Sequence, residues 1–377
     1  MEIEISTKEQ KALIKDIEAR GDIEATRIKR YLSMNDLSRT PTSPLYEIVN
    51  KVRNMPLFRD FDNIIIPEIV PALVSFDLFN FAPNHPARNA SDTYFVDEKN
   101  ILRTHDTVMW YYYLNLPEIK KKIIAKESLG VICYGKVYRK DEIDRKHMNI
   151  FHQMGGLYLV PDSGKKLTID DLKSTLSLIV QMVFGKDVIY RFNVDTFPYT
   201  DPSLEVEVQI NDQWIEILGG GMPRPLVLKN FGVIGYHGWA FGFGLERLAI
   251  ISMELPDIRL LWSEDIRVKK QLRLGQKFKD VSKYPAIIRD ISFVVNSSSF
   301  IPKNYFDLVR DVIRDLVEEM SLVDQYENIK KFGAGKKSYA YRITYRSLDR
   351  TLTDSEVNAL HQKLEEKTRE VFGAVIR

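Results

Sequence analysis

The chain has one cysteine, Cys133, so no intrachain disulfide can form and a reducing compartment suits it. Cys133 stands in the apolar run GVICYG, the setting of a buried strand residue rather than of a nucleophile. Long apolar runs are missing too, and none approaches the length needed to cross a bilayer. No charge of one sign dominates. Lys and Arg number 54 against 52 Asp and Glu, a net +2, so nucleic-acid binding would need a local patch. The first thirty residues hold seven acids and seven bases, unlike an acid-poor transit peptide, and they lack the apolar core of a secretory signal. The expectation is a cytoplasmic protein, or one of the mitochondrial matrix or another organelle if a targeting segment has been removed. Repeats and low-complexity tracts are absent.

What is present describes an ordinary globular chain: 377 residues, 44% hydrophobic and 28% charged, enough for one large and one small domain. Residues 7–31 read as a charged, weakly apolar helical arm, so 1–41 is expected to be peripheral. Prolines in LSRTPTSPL end it, and Ser43 with Pro44 opens a helix through Val52. From 60 to 270 short apolar strands alternate with loops and a few helices. Thr168 with Asp171 caps a helix that Gly185 ends. LEVEVQI and QWIEILGG, joined by Asn211-Asp212, form an antiparallel hairpin. After 270 the order is strand (289–295), helix (304–319), two strands (321–329 and 337–347), and a helix capped by Thr353 and Glu356 with Val357, Leu360, Leu364 and Val371 inward. GAVIR closes it. This βαββαβ order predicts a ferredoxin-like module over 271–377, after a main domain over 42–270.

The chemistry concentrates in YRKDEIDRKHMNIFHQMGGLY (138–158) and GFGLER (242–247). GFGLER alone is a weak signal: it lacks the lysine and hydroxyl of a P-loop, and no parallel βαβ unit surrounds it. Beside the first stretch it gains meaning. Arg139 ends a strand, His147 lies in the following loop, and Phe151 and Gln153 return on one face of the next strand. An arginine before the loop and an aromatic after it can hold a bent nucleotide. The arginine meets the α-phosphate, Phe151 stacks the adenine, and Arg247 covers the ring's other side.

These motifs resemble motifs two and three of class II aminoacyl-tRNA synthetases. HPARNASDTYF, LRTH, FPYTDPS, WIEILGGGM and GWAFGFGLERLAI…LPDIRLLWSED narrow the resemblance to the phenylalanyl-tRNA synthetase family, from about residue 42 onward. The resemblance implies an α+β fold: an antiparallel-sheet catalytic domain followed by a ferredoxin-like anticodon-binding domain, as in the monomeric, mitochondrial-type enzyme. It implies ATP and Mg2+ as cofactors, and L-phenylalanine and tRNA(Phe) as partners, with no second subunit.

By the same resemblance, Arg139 and Arg247 act at the phosphates, and Lys146, His147, Met148, Phe151 and Glu216 complete the ATP site. Asp201 stands where bacterial relatives carry a magnesium-linked acid. The amino acid would meet His105, Asp106, Thr107, Trp110, Gln153, Gly155, Phe197, Tyr199, Ala240 and Phe241, with Ala240 and Gly221 leaving room for its ring. Two departures stand out. Relatives read FHQxE where this chain has Gly155, and Thr-Ser after RTH, with Gln three residues beyond the Ser, where it has Asp106-Thr107 and Trp110. One acid lost and one gained suggest that Asp106 holds the substrate's ammonium. The alternatives are a paralogous ligase for another amino acid or acceptor, and a silent tRNA-binding relative.

In KSYAYRITYRSLDR alternate residues fall on opposite faces, so Tyr339, Tyr341, Ile343 and Tyr345 should meet the helices and Arg342 and Arg346 the open face. Residues 330–350 hold seven bases against one acid, Asp349. The basic face, with Lys336, Lys337, Arg342 and Arg346, is expected to contact tRNA phosphates.

Overall fold

The computed structural model describes residues 2–140, 145–300, 302–347 and 350–377, apart from the side chains of Lys303, Asp307, Arg310 and Asp315. Residues 141–144 of the charged stretch and Asp349 of the basic segment therefore lie outside the described residues. The chain divides into two compact units, Met1–Phe278 and Lys279–Arg377.

In the first unit β1 (Glu2–Glu4) and β2 (Asp62–Ile65) are short, and β3 (Ile69–Pro71) pairs with β4 (Asn100–Leu102) in a separate two-stranded sheet. The long strands are β5 (Leu129–Tyr138), β6 (Ile150–Pro161), β7 (Tyr190–Asp195), β8 (Thr200–Ile210), β9 (Gln213–Pro223) and β10 (Tyr236–Gly244). They form an eight-stranded sheet in the order β1-β2-β5-β6-β10-β9-β8-β7. The β1–β2 and β2–β5 pairs are parallel and the others antiparallel. The Asn211-Asp212 turn between β8 and β9 has both residues at positive φ, 49° and 62°, the two-residue geometry whose twist matches the strands. The Ile169–Phe184 helix starts with a full capping box from Thr168 and Asp171 and stops at Gly185.

The N-terminal residues differ from a peripheral arm. They form two helices, Lys8–Ala19 and Ile23–Ser33, broken where Asp22 accepts the Ala25 N–H. Ile17, Ala25, Ile28 and Tyr31 are buried in a cluster with Ile69, Tyr94, Leu102, Tyr138 and Ile150. The apolar stripe is narrow, four residues among many charges, which is why it reads as weak. It is nevertheless covered.

In the second unit β11 (Ile287–Asn296), β12 (Val317–Glu327), β13 (Lys336–Tyr345) and β14 (Val375–Ile376) form a sheet in the order β12-β13-β11-β14. This is the ferredoxin-like arrangement. The first helix, Pro302–Ile313, ends six residues before the expected 319. Arg314 turns to a φ of +57°, and Val317 already pairs with Tyr345. Ladder pairing wins over the helical period there. Tyr339, Tyr341, Ile343 and Tyr345 do face the helices, in one core with Tyr305, Val309, Val357 and Leu364. Val371 is exposed instead of inward, because the buried stripe of the Asp354–Phe372 helix runs through Val357, His361, Leu364 and Thr368. His361 earns that place by accepting or donating at Nδ1 to the Tyr345 hydroxyl, 2.8 Å away.

Candidate active site

The β5–β6 pair sets the nucleotide side. Arg139 follows β5 directly, its N–H donating to Asn149 O (3.1 Å) and its Nε to Thr104 O (3.1 Å). Its guanidinium lies 5.3 Å from the centre of the Phe151 ring. Lys146 and His147 are exposed in the returning loop, and Met148 is half-buried. Arg247, in the Leu245–Met253 helix after β10, donates to Glu216 O (3.2 Å) and sits 3.5 Å from the Glu216 carboxylate. Both side chains of that pair are about half exposed, so the contact is exchangeable with a ligand.

Strand register then builds a floor. Gly155 pairs with Gly242, and Gly242 with Gly219, a row of three glycines across β6, β10 and β9. The row spans roughly 10 Å at the usual strand spacing. At one end a Cβ on Gly155 would fall 1.6 Å from Asp106 Oδ2, and one on Gly242 3.4 Å from Asp106 Oδ1. At the other end a Cβ on Gly219 would fall 3.0 Å from Phe197 Cζ. An acid and an aromatic ring thus flank a strip of bare backbone.

Asp106 sits in a single 3-10 turn, Asp106–Val108, and its N–H donates to Gln153 Oε1 (3.1 Å). Only 6% of the residue is exposed, and no described cation comes within ion-pair distance of its carboxylate. Burial lifts that carboxyl from its ordinary 3.8 to about 7, against the pull of Arg103 and Arg139. His105 donates from Nε2 to Ser75 O (3.0 Å), leaving Nδ1 a buried acceptor without a partner. Burial pushes its pKa down to about 4, so the ring is neutral at physiological pH. Tyr199 stacks on Phe197 (5.9 Å, 13°) and meets Trp110 edge-on (6.1 Å, 85°). Burial first, then Asp106, raises the Tyr199 hydroxyl to about 12, while Thr107 bonds to it.

Some expected residues are placed elsewhere. Phe241 lies one residue out of phase, on the sheet face opposite Ala240 and Gly242. Its ring packs on Phe58 and over Gly156, and only its carbonyl oxygen approaches Gly155. Gly221 opens no space, since a Cβ there would fall 2.6 Å from Thr200. Trp110 is almost wholly buried and packs edge-on against Tyr199. Asp201 is exposed and paired with Arg224 at 3.3 Å. It lies six residues along β8 from Glu207, the partner of Glu216, or roughly 20 Å. Among the described residues no group of three His, Cys, Asp or Glu is arranged to hold a metal ion. Arg342 and Arg346 are also engaged, with Asp290 (2.8 Å) and Glu318 (3.0 Å). By contrast Lys330, Lys331, Lys336 and Lys337 have no carboxylate partner among the described residues. A cavity of about 790 Å³, lined by Lys51, Met182, Lys269 and Arg273 among others, contains none of the expected site residues.

Two residues inside the quoted motifs were not singled out. His152 Nδ1 donates to Glu246 Oε1 (2.6 Å), and the His152 backbone N–H donates to the same carboxylate (2.8 and 3.0 Å). Its Nε2 accepts the Leu37 N–H (3.0 Å). Strand parity was the available signal, because His152 must point away from Phe151 and Gln153.

A model described as the tRNA synthetases class II core domain (F) matches residues 28–272. This chain belongs to the class II tRNA synthetases. A second model, the ferredoxin-fold anticodon binding domain, matches residues 282–377. Similar synthetases include the chloroplastic/mitochondrial phenylalanine–tRNA ligase of Arabidopsis thaliana, 38% identical over 85% of this chain and 73% of that protein. The mitochondrial enzyme of Mus musculus is 34% identical over 84% and 75%. The phenylalanine–tRNA ligase alpha subunit of Persephonella marina is 33% identical over 72% and 79%. In this synthetase no described helix is long and apolar enough to cross a membrane.

Proposed function

We propose that this chain joins L-phenylalanine to tRNA(Phe) in two steps at the glycine row. The observation that carries the reading is Arg139 poised over Phe151, beside a bare strip with an acid at one end and stacked aromatics at the other. In the first step an amino-acid carboxylate oxygen attacks the α-phosphorus of ATP. The bond to the β-phosphate oxygen breaks, releasing pyrophosphate and leaving phenylalanyl-adenylate. In the second a terminal ribose hydroxyl of the tRNA attacks the carbonyl carbon, and AMP leaves with its electron pair.

No side chain need form a covalent bond, so position and charge carry the rate. Arg139 neutralises charge growing on the α-phosphate. Adenine lies between Phe151 and Arg247, with Met148 at its edge, while Lys146 and His147 meet the phosphate tail. Magnesium would enter with ATP, held by its phosphates and one or two carboxylates. Glu216 is the nearer candidate, since Asp201 lies roughly 20 Å away along β8, distant from the nucleotide side. The phenyl ring packs against Phe197 and Tyr199, above Ala240. Lys330, Lys331, Lys336 and Lys337 are the cations open to tRNA phosphates, with Arg342 and Arg346 available by exchange.

Catalytic and anticodon-binding modules on one chain support action as a monomer. The organellar names of several relatives support a place in organelle translation. ATP–pyrophosphate exchange across the twenty amino acids tests the reading: phenylalanine alone should give full exchange, followed by charging of tRNA(Phe). Exchange led by another amino acid would favour a paralogous ligase, for which the Asp106–Gly155 departure is the motive.

A further inference from the structure

A buried carboxylate without a cation is costly to keep ionised, and it becomes favourable when a matching charge arrives. The acids around the glycine row differ sharply in this respect. Glu216 pairs with Arg247, Asp201 with Arg224, and Glu246 with His152. Of these four only Asp106 has neither a cation nor an imidazole within ion-pair distance among the described residues, and it is nearly inaccessible. Its main chain is fixed by Gln153, and its two oxygens lie against Gly155 and Gly242, the paired glycines at the head of the row.

We propose that the Asp106 carboxylate receives the α-ammonium of the amino acid, and that residue 155 must be glycine because that carboxylate fills its side-chain space. An ammonium brings three donors. Nδ1 of neutral His105, on the preceding residue, is a buried acceptor without a partner. From Asp106 the row runs roughly 10 Å to Phe197, which suits an aromatic amino acid with its ring at the far end. The assignment rests on the ligase reading and adds the group that selects an α-amino acid over an acid without nitrogen.

The test is ATP–pyrophosphate exchange on the full chain with L-phenylalanine and with L-phenyllactate, which carries a hydroxyl where the ammonium stands. The wild type should prefer phenylalanine by at least a hundredfold. Asp106→Asn should raise the KM for phenylalanine at least thirtyfold, leave the KM for ATP within twofold, and lose most of the preference over phenyllactate. A Cβ at position 155 collides with Oδ2, so Gly155→Glu alone should abolish phenylalanine activation. Gly155→Glu with Asp106→Ser should restore at least a tenth of wild-type kcat/KM, the acid now entering from β6. Unchanged phenylalanine KM in Asp106→Asn, equal use of phenyllactate by the wild type, or a double variant no better than Gly155→Glu overturns the proposal. A wild type that exchanges pyrophosphate with no amino acid sinks the ligase reading itself, a result distinct from all three.

Discussion

Replacing Asp106 by asparagine removes a charge from a place that resists holding one. The rise from 3.8 to about 7 corresponds to about 4 kcal/mol at 1.36 kcal/mol per pH unit. Because the native pKa is the higher one, the folded chain binds more protons than the unfolded chain between the two values. Stability is therefore full below 3.8, declines as pH rises, and has lost the whole amount above about 7. About 2 kcal/mol of the decline falls between pH 5.5 and pH 8. Asparagine keeps the shape and has no such slope. All four tryptophans, Trp110, Trp214, Trp239 and Trp262, belong to the first unit, so their fluorescence follows its unfolding alone. Urea titrations at the two pH values should show Asp106→Asn gaining about 2 kcal/mol on the wild type at the higher one. Loss of function should accompany this gain in stability, as is common for active-site groups held under strain. Parallel pH dependences in the two proteins would refute the reasoning, because they would mean that Asp106 is solvated after all.

Arg139→Ala should lower the rate of adenylate formation by about 10²–10³, read by pyrophosphate exchange at saturating ATP. His152→Ala strands the buried Glu246 and should cost about 3–5 kcal/mol in the fluorescence-monitored titration, with Trp262, 5.7 Å from the imidazole, as the reporter. Lys336→Ala with Lys337→Ala should raise the KM for tRNA severalfold and make the salt dependence shallower. Arg342→Ala should do less, since an exposed ion pair must first be exchanged, and equal effects from both would count against the distinction. Sedimentation under charging conditions should find one copy of the chain, and an obligate second subunit would contradict this.

Local rules explain which parts of the molecule could be read beforehand. Caps at Thr168 and Thr353, the Asn211-Asp212 turn and the ferredoxin order all depend on neighbours within a few residues. Strand parity sorted Tyr341 from Arg342, and applied one step further it would have sorted Phe241 from Ala240. Longer-range facts have no local signature. Nothing near Gly155 announces that its missing side chain is replaced by a carboxylate 49 positions earlier. Likewise the pairing of Arg342 and Arg346 depends on Asp290 and Glu318, on two other strands. Charge counting along one segment overlooks such partners.

The contact between Leu37 and His152 joins residues 115 positions apart, and Lys136 donates to Leu32 O and Met34 O from nearly as far. During synthesis at about 5–20 residues per second, the first two helices wait some 6–23 s before β6 exists to receive them. Through that interval Ile17 and Ile28 can gain cover from the neighbouring helix and then from Ile69, Tyr94 and Leu102, while the Tyr138 and Ile150 side of their cluster is still missing. Their heavy charge, which disguises them as an arm, keeps a waiting nascent segment in solution. Sparse apolar character at the start of this chain thus serves the order in which its parts are made.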